Sequence, residues 1–298
     1  MTGIRKAKKA AGQLSAPWLN ILGQIFDSPV LHRAALRADP QYLRAVRGAK
    51  AGNLANFYMA QLQIAAQLAA EANGYSADRI KKIVGLSEAQ FLQDVFCILA
   101  LDEMRDGFFA EVGVGDGRSL SNTYMLEKQY GWRGILVEPN RSSHETIVQS
   151  RTAHLDRRAA ASSSGQSLTF QEYLEKGEHS RIARTGGHNL RNEQIQEYEV
   201  YTVTLNDALS LVGAPEEPEF LSLDTEGSEL DILEGLDLNR FRFKIITIEH
   251  NHNQLTINKL RKSLGPIGYR QVLSHISNVD AWFIHESLTC AAFPGIRD

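Results

Sequence analysis

The spacing of hydrophobic positions along the chain changes near residue 105. Upstream, apolar residues recur at three and four, the spacing of one helix face. Asn53 can cap a helix whose apolar stripe runs through Leu54, Phe57, Tyr58, Leu62, Ala65 and Leu68, and Gly74 ends it. A shorter helix is predicted over Val30–Val46 and another over Ser87–Glu103. Ser87-Glu88-Ala89-Gln90 has the form of a capping box, in which serine and glutamine side chains satisfy two backbone N–H groups at a helix start.

Downstream, short β-branched or apolar runs take over: Phe108–Val114, Gly134–Val137, Tyr198–Leu205, Glu219–Leu223 and Lys244–Ile248. Helical stretches separate most of them, at Leu120–Tyr130, Ser142–Arg151, Ser228–Leu236 and Gln254–Leu264. This alternation predicts an α/β fold, a mostly parallel sheet with helices on both faces. The tail breaks the alternation. Tyr269–His275 and Ala281–His285 bracket Ser277-Asn278-Val279-Asp280, which predicts an antiparallel hairpin closing one edge of the sheet. Residues 162–197 are polar and hold Gly165, Gly177, Gly186 and Gly187. They read as an insertion of loops, with room for a hairpin, placed to cover a site. The expected organisation is a helical N-terminal region, residues 1–86, followed by one α/β domain, residues 87–298.

Composition narrows this little: 298 residues, 43% hydrophobic and 22% charged, describe an ordinary globular chain. Two cysteines, Cys97 and Cys290, exclude a disulfide framework and a four-cysteine zinc site. Both have apolar neighbours and read as buried free thiols, which suits a reducing cytoplasm. No run approaches the roughly 18 apolar residues of a membrane span. Charge does change the picture. The net −3 combines +7 over residues 1–50 with −10 over the remainder. The basic end reads as a solvated helical surface, or as a surface for self-association into a homo-oligomer. No aromatic or glycine-rich nucleic-acid motif accompanies it, so no nucleic-acid partner is expected.

The strongest local signal is Glu111-Val-Gly113-Val-Gly115-Asp116-Gly117, at the end of a predicted strand. Glycines there permit a tight turn and close backbone approach to a ligand. Glu138 follows Gly117 by 21 residues, at the end of the next strand, where an acid can accept hydrogen bonds from both hydroxyls of a ribose. A dinucleotide fingerprint would place a third glycine where Arg118 stands, which disfavours a pyrophosphate loop and a nicotinamide enzyme.

A second group of acids lies downstream. Asp224 ends the apolar run Phe220–Leu223, Glu226 stands two residues on, and Ser228 can cap the next helix. Glu249 and His250 end the neighbouring strand. Two chemistries are open to this group. His250 could act as general base toward a hydroxyl acceptor. Alternatively, Asp224, Glu226 and Glu249 could hold Mg²⁺ or Ca²⁺ and lower the hydroxyl's pKa. The plain alternatives are a turn held by Asp224, a helix-dipole partner in Glu226 and a loop fixed by Glu249 and His250. His179, Arg181, Arg184, His188 and Arg191 stud the insertion as candidate acceptor contacts, and Trp282 reads as core.

The acid-x-Gly-x-Gly-x-Gly pattern resembles motif I of class I S-adenosylmethionine-dependent methyltransferases. Gly107–Gly117, Ser121–Lys128 and Gly131–Asn140 together are similar to the FkbM family of these enzymes, as are Phe220–Gly235, Gln90 with Gln93-Asp94, and Lys244–Asn251. The resemblance runs from about Ser87 to His285. It implies a Rossmann-like seven-stranded sheet with S-adenosylmethionine lying across its carboxyl edge. Glu111 and the Gly113–Gly117 turn, with Asp116, would face the methionine moiety, and Glu138 would take the ribose. The segment from Asp156 to Ser162 would lie near the adenine, and Asp224 beside the sulfonium and acceptor. Glu111 departs from the aspartate common at its position. The implied activity is methylation of a hydroxyl on a small acceptor, a sugar or a glycosylated or polyketide-type metabolite. Methylation of nitrogen or carboxyl, and a non-catalytic binding module, are the alternatives.

Overall fold

Strands form where the apolar runs were expected, because residues buried on both faces of a parallel sheet need no polar alternation. A computed structural model describes residues 61, 64–65, 67–68, 72, 74–174, 180–183, 194–277 and 279–288. Its strands in chain order are β1 (Phe108–Val112), β2 (Arg133–Val137), β3 (His154–Asp156), β4 (Ala159–Ala160), β5 (Ser167–Tyr173), β6 (Arg181–Ile182), β7 (Ile195–Val203), β8 (Phe220–Leu223), β9 (Ile245–Glu249), β10 (Tyr269–Val272) and β11 (Asp280–His285). The helices are α1 (Ala77–Val84), α2 (Gln93–Ala100), α3 (Tyr124–Tyr130), α4 (His144–Ser150), α5 (Leu205–Leu211), α6 (Glu229–Glu234) and α7 (Gln254–Leu264).

Seven strands make the main sheet in the order β3-β2-β1-β8-β9-β11-β10. The first five are parallel, while β11 runs antiparallel to both β9 and β10. The tail hairpin therefore closes one edge. Strand order reverses between β1 and β8, so the loops leaving these two strands diverge and open a crevice at the carboxyl edge. One face of the sheet packs against α1–α4 through Phe109, Leu136, Ile245 and Trp282. The other packs against α5–α7 through Ala110, Val137, Leu221 and Ile246. Ile64, Ala65, Leu68, Ile80 and Ile83 belong to the first of these cores, so the described part of the N-terminal region is continuous with the sheet. Asn53–Tyr58, Leu62 and the Val30–Val46 helix lie outside the described residues.

Three elements differ from the sequence pattern. The Ser87–Glu103 helix shrinks to α2, entered through Leu92 in a left-handed conformation. The capping box is replaced by a turn: Ser87 Oγ accepts from Ala89 N–H (3.2 Å) and donates to Asp94 Oδ1 (2.6 Å). The Leu120–Tyr130 helix begins only at Tyr124, because Ser121, Asn122 and Thr123 are drawn into bonds with Glu111. Tyr198–Leu205 does not enter the main sheet. Its residues fall largely in β7, the long strand of a second sheet ordered β4-β7-β5-β6, and the main sheet takes the short β3 instead. That second sheet extends on both sides of the expected insertion, from Ala159 to Val203.

Candidate active site

The glycine turn leaves β1 and meets the acid end of β8. Asp224 N–H donates to Val112 C=O, continuing the β1–β8 ladder. At Gly113 (φ +81°) a Cβ would stand 1.6 Å from the Asp224 carbonyl oxygen, so no side chain fits there. Gly117 (φ +87°) packs on Ile147 of α4, whereas a Cβ at Gly115 (φ +59°) would meet nothing within 4 Å. Two glycines thus serve packing, and the middle one faces open space. Asp116 Oδ1 accepts from the N–H groups of Arg118 (2.8 Å) and Ser119 (2.7 Å), closing the turn behind them.

Glu138, at the end of β2, is buried beneath this turn. Its Oε2 accepts from Val114 N–H (2.8 Å) and Gly115 N–H (3.0 Å), and its Oε1 from Asn140 N–H (2.8 Å). Burial raises its pKa despite these donors. Asp156 is directed elsewhere, forming a two-point ion pair with Arg158 (2.6 and 2.9 Å). Its backbone carbonyl meets Glu138 N–H.

Glu111 turns inward. Its oxygens accept from Ser121 Oγ (3.0 Å), Asn122 N–H (2.7 Å) and Thr123 Oγ1 (2.5 Å), with the Arg151 guanidinium 3.5 Å away. Every one of these bonds points into the protein, which gives Glu111 a task the methionine-facing expectation did not include.

The second acid group forms a row along one face of three strands. Asp224 and Glu249 directly follow the paired residues Leu223 and Ile248 of β8 and β9, and Glu249 lies in register opposite Asp280. Burial, with Asp280 and Glu226 nearby, raises the Asp224 carboxyl well above its usual range. Burial beside Asp224 pushes Glu249 up to about 10. Burial raises Asp280 to about 6 even though Gln93 Nε2 donates to it at 2.5 Å. Neutral and ionised carboxyls can share a proton here; two bare carboxylates would repel. Glu249 Oε2 is buried without a partner, an invitation to a ligand or solvent donor.

Glu226 stands beside this row at φ +55°, and Asn251 and His252 in the next loop also have positive φ. Strained backbone of this kind costs about 1–3 kcal/mol per residue and persists only when its surroundings enforce it. Glu229 enforces it after β8, its Oε1 accepting from Thr225 N–H, Thr225 Oγ1 and Gly227 N–H, each at 2.9 Å. Ser228, expected to cap α6, makes no such bond.

The geometry bears on the two chemistries considered for this group. Among the described residues no three His, Cys, Asp or Glu side chains are grouped to hold a metal ion. Asp224, Glu226 and Glu249 form no such group, and burial with neighbouring carboxyls raises the pKa of Asp224 and of Glu249. His250 Nδ1 accepts from His252 N–H (3.0 Å) and the ring is buried, which lowers its pKa. That nitrogen is committed to the loop, as the plainer reading of His250 had it.

Sequence reasoning did not single out Gln93, Arg151 or Asp280 as members of these networks; all three are buried polar side chains whose partners lie far along the chain. Arg181 lies in β6, with its guanidinium 3.2 Å from Tyr173 Oη, while His179, Arg184, His188 and Arg191 lie outside the described residues. Cys97 is buried in α2 and Trp282 stacks on Phe96 at 4.7 Å, so both serve the core. Cys290 lies outside the described residues. No described helix is long and apolar enough to cross a membrane.

Residues 111–283, more than half of the chain, match the methyltransferase FkbM domain. The chain belongs to the FkbM methyltransferase family. The matched span begins at Glu111 and includes the glycine turn, Glu138, the second sheet and the row of acids. No curated protein matches the sequence. Among solved structures, the chain is similar to the precorrin-6y C5,15-methyltransferase of Geobacter metallireducens GS-15, at 13% identity over 64% of this chain and 85% of that one, with a TM-score of 0.34. It is also similar to a candidate RNA methyltransferase of Pyrococcus horikoshii, at 8% identity over 65% of this chain and 83% of that one, with a TM-score of 0.35.

Proposed function

We propose that this FkbM methyltransferase transfers a methyl group from S-adenosylmethionine to a hydroxyl of a small acceptor, a sugar or a glycosylated or polyketide-type metabolite. The observation that carries the reading is the contact between Gly113 and Asp224. It brings a glycine turn suited to a nucleoside directly beside the segment that carries the Asp224 carboxyl.

The residues fit the cofactor. Gly115 leaves open space in front of the turn, and Glu138 Oε1 carries a single N–H donor, so it retains acceptor capacity for a ribose hydroxyl. Bound there, S-adenosylmethionine would supply an electrophilic methyl on a sulfonium. The chain's own work is then alignment and proton handling. A hydroxyl oxygen becomes a competent nucleophile as its proton leaves, and the raised proton affinity of the Asp224–Glu249 pair makes its ionised form the stronger base available. The preference for a hydroxyl over a carboxyl acceptor rests on this pair, since a carboxylate acceptor needs no base.

Calorimetry tests the cofactor: S-adenosylmethionine should bind the wild type, and Glu138→Ala should weaken it by at least tenfold. Mass spectrometry of pooled hydroxylated acceptors should then show S-adenosylhomocysteine release. A wild type that binds no S-adenosylmethionine sinks the reading, and binding without turnover on any acceptor would favour a non-catalytic module.

A further inference from the structure

We infer that Arg151 is a positioning residue that sets the shape of the glycine turn from behind, with Glu111 as its counter-charge. The inference rests on the reading of that turn as the cofactor's seat. Arg151 follows α4 at the entrance to β3, and its side chain is fully buried. Its three nitrogens reach three different segments. Nε donates to Glu127 Oε2 on α3 (2.7 Å), and Nη2 donates to Thr123 Oγ1 (2.7 Å). Nη1 donates to the Gly117 carbonyl (2.9 Å) and to Ser121 Oγ (3.2 Å).

The same two hydroxyls donate in turn to Glu111, Thr123 Oγ1 at 2.5 Å and Ser121 Oγ at 3.0 Å. Ser121 and Thr123 are thereby clamped between a buried cation and a buried anion on β1, while the Gly117 carbonyl is held by the cation alone. The guanidinium also lies over the rings of Phe109 (5.5 Å) and Tyr124 (5.7 Å), which fixes its plane. Only a planar fork with separated donors can satisfy Glu127, Gly117 and Thr123 together; an ammonium presents its donors at one point. Residues 113–123 contain no helix to stiffen them, so the carbonyl of Gly117 and the hydroxyls beyond it take their positions from this clamp. Glu111 in this arrangement supports the turn through Ser121 and Thr123 and has its known partners on the protein side.

The test compares Arg151→Lys with Glu127→Gln in the full chain. Glu127→Gln removes the charge of the partner farthest from the turn and leaves Nη1 and Nη2 in place. Both variants should lower the melting temperature. Only Arg151→Lys should weaken S-adenosylhomocysteine binding, by tenfold or more in calorimetry on the folded protein, while Glu127→Gln stays within twofold of wild type. A folded Arg151→Lys that binds within twofold of wild type overturns the inference, as does an equal loss in both variants. If Arg151→Lys does not fold, Thr123→Val removes the turn's own end of the clamp without altering charge. It should weaken binding at least fivefold, and unchanged binding overturns the inference. Failure of the wild type itself to bind would instead strike the cofactor reading.

Discussion

Two buried polar regions flank the crevice, and they are built on opposite terms. On the β1 side, Glu111, Arg151 and Glu127 share one network in which the cation is flanked by two carboxylates and by hydroxyl and backbone partners. On the β8–β9–β11 side, the charged neighbours of Asp224, Glu249 and Asp280 are other carboxyls, and Glu249 Oε2 is buried without a hydrogen-bond partner among the described residues. A satisfied network fixes geometry. An under-satisfied carboxyl row holds protons at pH values where carboxylates are normally ionised, and such groups are able to exchange them during a reaction. The first region holds geometry; the second is the one proposed to take part in the reaction.

The comparison can be broken at its contact point. Gly113→Ala forces a Cβ against the Asp224 carbonyl and should abolish cofactor binding with a large loss of melting temperature. Calorimetry and a thermal melt read both effects, and a stable Gly113→Ala that still binds would show that the two regions are not in contact. Next in size, Asp224→Asn should leave cofactor affinity within a few-fold but slow methyl transfer by about 10²–10⁴, the usual worth of a general base. Equal rates for wild type and variant, followed by S-adenosylhomocysteine release, would remove the carboxyl pair from the chemistry.

A smaller effect concerns pH. Asp94 is buried in α2, and burial raises it to about 7. The folded state keeps this proton up to about pH 7, whereas the unfolded chain releases it near pH 4. Stability from this group is therefore present at low pH and is lost as pH rises between those values. Asp94→Asn should raise the melting temperature relative to wild type at pH 8, with the gap closing toward pH 5. The difference between the two proteins isolates the carboxyl from His144 and His250, whose lowered pKa values act in the opposite sense. A gap that does not vary with pH would contradict a buried, proton-holding Asp94. The smallest effect is expected at Gly115, where an added methyl meets open space. Gly115→Ala should cost only the roughly 1–2 kcal/mol of left-handed strain. Its loss of cofactor affinity should exceed its loss of stability, which sharpens the distinction between a packing glycine and a ligand-facing one.

Much of the fold was legible because periodicity is local. The runs that became β1, β2, β8 and β9 were continuous in apolar residues, as parallel strands buried on both faces require. The run at Tyr198–Leu205 is broken by Glu199, Thr202 and Thr204 and joins the second sheet; nothing in a strand's own residues says which sheet it joins. The Ser87 capping box failed for a related reason. Ser87 found Asp94 as a partner, and a short motif cannot show that a later side chain will compete for its hydroxyl.

The sequence by itself determined that Glu111, the three glycines, Glu138 and Asp224 stand at strand ends, because strand ends are marked by neighbouring residues. Their family membership followed from the same motifs. Only the tertiary structure decided which way each side chain faces and what it meets. Glu111 turns back to Arg151, forty residues away; Glu249 meets Asp224, and Gln93 meets Asp280 from the far end of the chain. Hydrogen bonding and desolvation act over a few ångströms of space, and folding alone sets which distant residues share that space.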